Sequence, residues 1–196
     1  ISPSLFAKKG FGADLIVSLG AGVGFFHGDT SKHPNGGFEF GIYLKPNYYW
    51  EFSSLYFGLS LEIGYQRDTF AYKNEKLKGN VTFDSLAIGL IPKIDILFLS
   101  IGFGGGVKLP LGGKSSSIDI DGIPTLTQYD YNKLKENFGN ALIIPYIKTS
   151  LDFMLLYNVG LGIYIAYDIP FMKYPSDNSN IKFSSFDIGG RITLRF

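Results

Sequence analysis

Few side chains in this sequence are placed to move protons or hold a metal. The two histidines, His27 and His33, share one polar stretch with Asp29 between them. Two imidazoles and a carboxylate form an incomplete ligand set, because a third firm ligand is not fixed by the spacing. No His-x-Ser pairing accompanies either histidine, so a base is present without a nucleophile beside it. Asp119-Ile120-Asp121-Gly122 begins like a calcium loop, but the further oxygen ligands do not follow at the required spacing, and it reads as a turn. The glycine-rich strings 20–24 and 102–106 fall inside alternating stretches rather than before a helix, so they are not phosphate loops. There is no Cys, hence no thiolate metal site, disulfide or acylated N-terminal Cys. No cofactor is expected. The remaining ionisable residues of note are Asp14, Glu39, Lys45, Glu62, Lys148, Asp187, Arg191 and Arg195, and all sit on alternate positions of otherwise apolar stretches.

Alternation of that kind defines strands, since successive side chains point to opposite faces. The last stretch shows it best. Phe186, Ile188, Gly190, Ile192, Leu194 and Phe196 form one face, and Ser185, Asp187, Gly189, Arg191, Thr193 and Arg195 the other. The same period appears from Leu15 to Phe25, Phe38 to Lys45, Leu55 to Gln66, Ser85 to Leu90, Leu97 to Val107 and Leu155 to Tyr167. A weaker version runs from Ala141 to Thr149 and contains Pro145. Tight turns are expected at Pro46 to Ser54, Pro92 to Asp95 and Ser150 to Asp152. The fold class is therefore all-β: an eight-stranded antiparallel up-and-down transmembrane β-barrel, one domain over 1–196. Longer connections near 27–37, 67–79, 110–140 and 169–180 alternate with the turns, with a helical turn expected around Tyr131 to Asn137.

Composition agrees. The chain has 196 residues, of which 45% are apolar and 16% aromatic. Only 18% are charged, against about 25% in an ordinary soluble domain. No apolar run reaches the ~20 residues of a spanning helix. A soluble barrel would put its bulky set inside and its polar set outside. Here the minority set is largely Gly, Ser and Ala, which fits a narrow eight-stranded lumen. The net charge of +1 gives no argument for nucleic acid.

The terminal Phe196, with Leu194 and Ile192 before it, resembles the C-terminal strand of bacterial outer-membrane barrels. Over its full length the chain resembles the OmpA transmembrane domain/OmpX class. Its Lys, Asn, Phe and Ile usage is similar to that of Borrelia-type spirochaetal surface barrels. Because the sequence begins Ile1-Ser2-Pro3-Ser4 rather than with Met, a removed or omitted signal peptide is expected. The resemblance implies an outer-membrane location with loops at the cell surface, and an insertion signal at Phe196, Leu194 and Ile192 read by the barrel-insertion machinery. It also implies a monomer in outer-membrane lipid that contacts host or other extracellular proteins.

On this fold the inward ionisable residues are expected to form a structural ion-pair network of Glu62, Arg191, Asp14, Arg195, Asp187, Glu39 and Lys45, centred on Glu62 and Arg191, because an unpaired charge in a narrow lumen is costly. The aromatics, Tyr48, Tyr49, Trp50, Phe52 and Tyr56 at one end and Phe25, Phe26, Phe38, Tyr65, Phe70, Tyr72, Phe83, Tyr167, Phe171, Tyr174 and Phe183 at the other, are expected to form two girdles. Binding is expected in the third loop, through Lys114, Asp119, Asp121, Lys133 and Lys135. The leading expectation is a non-enzymatic surface barrel that captures an extracellular partner. The alternatives are a narrow channel and a lipid-modifying enzyme built on His27.

Overall fold

In a computed structural model the alternating stretches become strands that run further than the pattern alone outlines. The structure describes residues 9–27, 33–53, 55–73, 77–119, 124–138, 143–156, 158–169, 173–174 and 181–196. The elements are β1 (Gly10–His27), β2 (His33–Phe52), β3 (Leu55–Lys73), β4 (Leu77–Ile96), β5 (Leu99–Asp119), β6 (Pro124–Tyr129), α1 (Tyr131–Phe138), β7 (Ile144–Met154), β8 (Val159–Asp168), β9 (Lys173–Tyr174) and β10 (Ile181–Arg195). Neighbouring strands pair antiparallel in the order β1-β2-β3-β4-β5-β7-β8-β10, and β10 returns to β1. The closure runs from Asp14 opposite Arg195 to His27 opposite Lys182. Eight strands thus form a closed ring, with β6 hydrogen-bonded to β5 and β9 to β10 outside it.

Period two sorts the side chains. On β1, Leu19, Val23 and Phe25 are exposed while Asp14, Ile16, Ser18 and Phe26 are buried. On β3, Phe57, Leu59, Leu61, Ile63 and Tyr65 face out. The outward faces together make an apolar belt suited to lipid, and the inward faces fill the lumen. About ten residues suffice for a tilted strand to cross the hydrocarbon. β1 to β5 have 18, 20, 19, 20 and 21, whereas β7 and β8 have 11 and 10. The wall therefore stands tall on one side and low on the other.

Several boundaries differ from the sequence expectation. β2 passes through Pro46 and turns only at Ser53, and β4 passes through Pro92 and turns at Leu97. Both prolines fit because the ladder leaves a gap beside them. The β2–β3 register omits Lys45 and Pro46, and the β4–β5 register omits Ile91 and Pro92. Residues 150–152 lie within β7 rather than in a turn. The stretch 67–79 is mostly strand, from β3 and β4. Most of 110–140 is also ordered: β5 runs to Asp119, β6 folds back on it and α1 follows. Asp130 caps α1, its Oδ1 accepting from the Lys133 backbone N–H at 2.9 Å.

The aromatics also divide. Phe11, Trp50, Phe52, Phe57 and Phe98 are exposed at the short-turn end. There Tyr48 meets both Phe11 and Trp50 edge-on, with ring centroids 4.8 Å apart in each pair. Tyr49 and Tyr56 face inward instead. At the other end Phe26, Phe70, Tyr72 and Phe83 do not join a girdle. They pack inside with Val81, Ile144 and Leu134 of α1 as an apolar plug over the lumen. Each has inward parity on its strand, and the strands reach far enough beyond the lipid to enclose them. Phe171 lies outside the described residues.

Leu134 is 0% exposed within this plug. Leu134→Ala is expected to loosen the seating of α1 by about 2–5 kcal/mol. Hydrogen exchange by mass spectrometry should show lost protection across 124–138 with unchanged protection in the belt portions of β2 to β4.

Candidate functional site

The lumen holds three layers of charge. Nearest the short turns, Asp14 accepts from Lys93 and, at 3.2 Å, from Arg195. Arg195 also reaches Asp95 at 2.8 Å and donates to the Tyr49 hydroxyl at 3.0 Å. In the middle layer Glu62 pairs with Lys45 at 2.5 Å and Lys148 at 3.3 Å, and accepts from the Tyr146 hydroxyl at 2.6 Å. Lys148 Nζ sits 4.1 Å from the centroid of the Tyr43 ring, a cation–π contact. Arg191 is held by both oxygens of Asp152, its Nε donating to Oδ1 at 2.5 Å. The outermost layer centres on Lys108, which bridges Asp68 at 2.8 Å and Asp168 at 2.7 Å. Gln66 donates to Asp68 at 2.5 Å and Ser185 to Asp168 at 3.0 Å. Glu39 and Asp187 belong to this layer but have no hydrogen-bond partner among the described residues.

Glu62 and Arg191 therefore do not pair with each other. Each has its own partner of opposite sign: Lys45 and Lys148 for Glu62, Asp152 for Arg191. The sequence reading did not use Asp68, Lys93, Asp95, Lys108, Asp152 or Asp168 in the lumen, having placed several of them in loops and turns. Parity would have found them. Asp68 continues the inward row of Glu62 and Gln66, Lys93 and Asp95 continue that of Ala87 and Gly89, and Asp152 continues that of Lys148.

The outer wall carries a second group. Arg67 and Asp84 lie opposite one another just above the apolar belt, with Nε to Oδ1 at 2.7 Å, and the Tyr65 hydroxyl also donates to Asp84. Burial alone would raise the Asp84 carboxyl, but the hydrogen bonds from Arg67 and Tyr65 and the charges of Arg67 and Lys114 hold it below its ordinary value. Its stabilising contribution is present above the unfolded pKa and is lost as pH falls through the lowered one. Lys114 is exposed on β5 beside this pair rather than in a loop. Arg67, Asp84, Lys114, Tyr129, Asp130 and Lys133 line a cleft of about 540 Å³. Lys135 is exposed in the last turn of α1. Asp119 ends β5, and Asp121 lies outside the described residues.

His27 is the last residue of β1, not a loop residue, and its Nε2 lies 2.7 Å from Ser184 Oγ. Local spacing could not reveal this pair, because 157 positions separate the two residues and barrel closure brings them together. Ser184 is only 1% exposed, so its hydroxyl is not presented to a substrate. His33 opens β2, opposite Lys73. Asp29 lies outside the described residues. Ile192, Leu194 and Phe196 face outward at the closing end of β10, where the Phe196 N–H donates to the Ala13 carbonyl at 2.8 Å.

A closed antiparallel ring with an apolar exterior and a lumen packed with ion pairs is an eight-stranded transmembrane β-barrel. No protein-family model matches the chain, and no curated protein sequence matches it. Among solved structures it is similar to Ail, the attachment invasion locus protein of Yersinia pestis, in complex with the heparin analogue sucrose octasulfate (16% identity over 96% of this chain and 100% of that chain, TM-score 0.45). It is also similar to Neisserial surface protein A (15% identity, 93% and 97% covered, TM-score 0.48). A third is the N-terminal β-barrel domain of Pseudomonas aeruginosa OprF (12% identity, 94% and 97% covered, TM-score 0.45).

The layers and the rim should differ in energetic weight. Arg191→Ala leaves Asp152 buried without its cation and is expected to cost about 3–5 kcal/mol, with a similar cost for Glu62→Ala. Arg67→Ala, at the solvated rim, should cost less than about 1 kcal/mol. Urea unfolding of the barrel in lipid vesicles measures all three.

Proposed function

We propose that this barrel is a non-enzymatic surface protein, monomeric in outer-membrane lipid, whose elements above the membrane capture an extracellular protein. The single observation that carries the reading is the rim cleft. It is built by strand ends that overshoot the bilayer, by the β5–β6 hairpin and by the start of α1. Arg67, Lys114 and Lys133 outnumber Asp84 and Asp130 among its lining residues. Asp84 is engaged by Arg67, and Asp130 by the cap of α1. The excess positive charge suits an acidic segment of a host or other extracellular protein. Insertion depends on the apolar outward face of Ile192, Leu194 and Phe196 being recognised by the barrel-insertion machinery.

The channel alternative is disfavoured by the packed lumen. A solute path would have to part buried ion pairs in three successive layers and displace the apolar plug. Purified barrel in planar bilayers is therefore expected to give no steady openings. The enzyme alternative rests on His27 and Ser184. With the serine buried, His27→Ala should leave the lipid composition of expressing cells unchanged.

Deleting 114–136 would cut β5 itself, so charge reversal is the cleaner test of capture. The double variant Lys114→Glu, Lys133→Glu in the full-length barrel should weaken capture of extracellular proteins by about tenfold or more, two rim charges contributing on the order of 1 kcal/mol each. Binding to intact expressing cells at low and high salt measures it. Equal capture by wild type and variant, or none by either, overturns the reading.

A further inference from the structure

The lumen does not balance its own charge. Its described ionisable groups are eight carboxylates (Asp14, Glu39, Glu62, Asp68, Asp95, Asp152, Asp168, Asp187) and six cations (Lys45, Lys93, Lys108, Lys148, Arg191, Arg195), a balance of −2. The deficit is local. The layer at the short-turn end is neutral, and the middle layer carries three cations against two acids. The outermost layer sets four acids against Lys108 alone. Lys108 is already shared by Asp68 and Asp168, and that leaves Glu39 and Asp187 uncompensated.

Those two carboxylates are buried as deeply as any in the molecule. Glu39 is 1% and Asp187 0% exposed. All four of their oxygens, and Asp68 Oδ2, lack a hydrogen-bond partner among the described residues. Ionised carboxylates in such a position are costly unless a cation meets them. They also converge. One oxygen from each of Glu39, Asp68 and Asp187 lies within 4.8 Å of the other two. Oxygens that bind one calcium ion at 2.3–2.6 Å are at most about 5 Å apart.

The backbone makes room for this approach. Asp187 on β10 lies opposite Gly22, and Glu39 on β2 lies opposite Gly20, so the two acids reach toward each other across β1 from its two sides. A Cβ on Gly22 would collide with Glu39 Oε1 and stand 2.7 Å from Asp187 Oδ1. Glycine there leaves the space that the two carboxylates occupy, and no positive φ calls for it.

We propose that the outer layer of the lumen is a binding site for one calcium-sized divalent cation, held by Glu39, Asp187 and Asp68 beneath the apolar plug. The chemistry favours calcium over magnesium. Three carboxylates converge with one oxygen each and suit the flexible oxygen coordination of calcium, whereas magnesium holds on to its waters and demands strict octahedral geometry. One divalent ion would cancel the lumen's −2. The role is structural: it ties β2, β3 and β10 together above the middle layer.

The test uses the full-length barrel folded in detergent micelles with CaCl2 and passed over a chelating resin. Elemental analysis is expected to find about one calcium per barrel. Melting in CaCl2 should exceed melting in EDTA by about 5–10 °C at calcium well above Kd. Glu39→Gln and Asp187→Asn should each lose the ion and the calcium response. In EDTA they should melt above wild type, because a repelling charge has gone. Glu62→Gln, which breaks the middle layer, should melt lower yet keep the calcium response, separating the site from general fold stability. Wild type that retains no calcium and melts alike in CaCl2 and EDTA overturns the proposal and points to a proton shared by Glu39 and Asp187. Loss of calcium in Glu62→Gln equal to that in Asp187→Asn also overturns it.

Discussion

The pairing of β10 with β1 is the interaction on which the rest of this molecule depends. In hydrocarbon an unpaired backbone N–H or C=O has no water to turn to, so a sheet can cross only if it has no edge. The register from Asp14–Arg195 to His27–Lys182 removes both edges at once. Closure also sets the interior. It places Arg195 against Asp14, brings Asp187 beside Gly22 and seats Ser184 under His27. None of these neighbours is within 150 positions of its partner in the chain.

Eight strands leave an interior just wide enough for side chains. Anything polar placed there is stripped of water and must find its partner within the same cross-section. This explains the layering: each ion pair joins residues at similar height on different strands, Lys45 meeting Glu62 on the neighbouring strand while Lys108 and Lys148 reach acids on strands that are not their neighbours. It also explains the glycines among the inward positions of β1. Where two or three large charged groups occupy one level, the neighbouring strand has to contribute almost nothing. The apolar exterior imposes no comparable pairing, so the specific chemistry of the spanning region is carried by the inward residues.

The strand count and the sidedness of each strand were legible in the sequence, because period two is a local property. Leu55 to Gln66 reads the same way on paper and in the structure. Strand ends were not. Pro46 and Pro92 look like turn residues, yet each sits where one side of the ladder is open. The charged stretch at 67–79 looks like a loop because strands above the membrane face water on one side and lose their apolar row. Ion-pair partners were legible only as a set. Parity marks Glu62 and Arg191 as inward, but which cation meets which acid depends on strand tilt and on heights across the bore, and a single strand's pattern contains neither. The inward aromatics Phe26, Phe70, Tyr72 and Phe83 were misread because girdle and plug use the same residue types, and only parity carried past the expected loop boundary separates them.

The uneven wall gives the outer elements their purpose. β1 to β5 rise past the lipid, while β7 and β8 stop after 11 and 10 residues. A ring with one side cut low would leave the apolar upper lumen open to water. The chain between β5 and β7 answers this. β6 extends the sheet above β7 by pairing with the upper part of β5, and α1 brings Leu134 into the plug with Phe26, Phe70, Phe83 and Ile144. Capping by Asp130 fixes where the helix begins, which fixes which residue reaches inward. On either side of Leu134, Lys133 and Lys135 are exposed, and Lys133 lines the rim cleft with Lys114 of β5. Sealing the lumen and building an exposed, positively charged platform are thus two consequences of one requirement, that the low side of the barrel be covered.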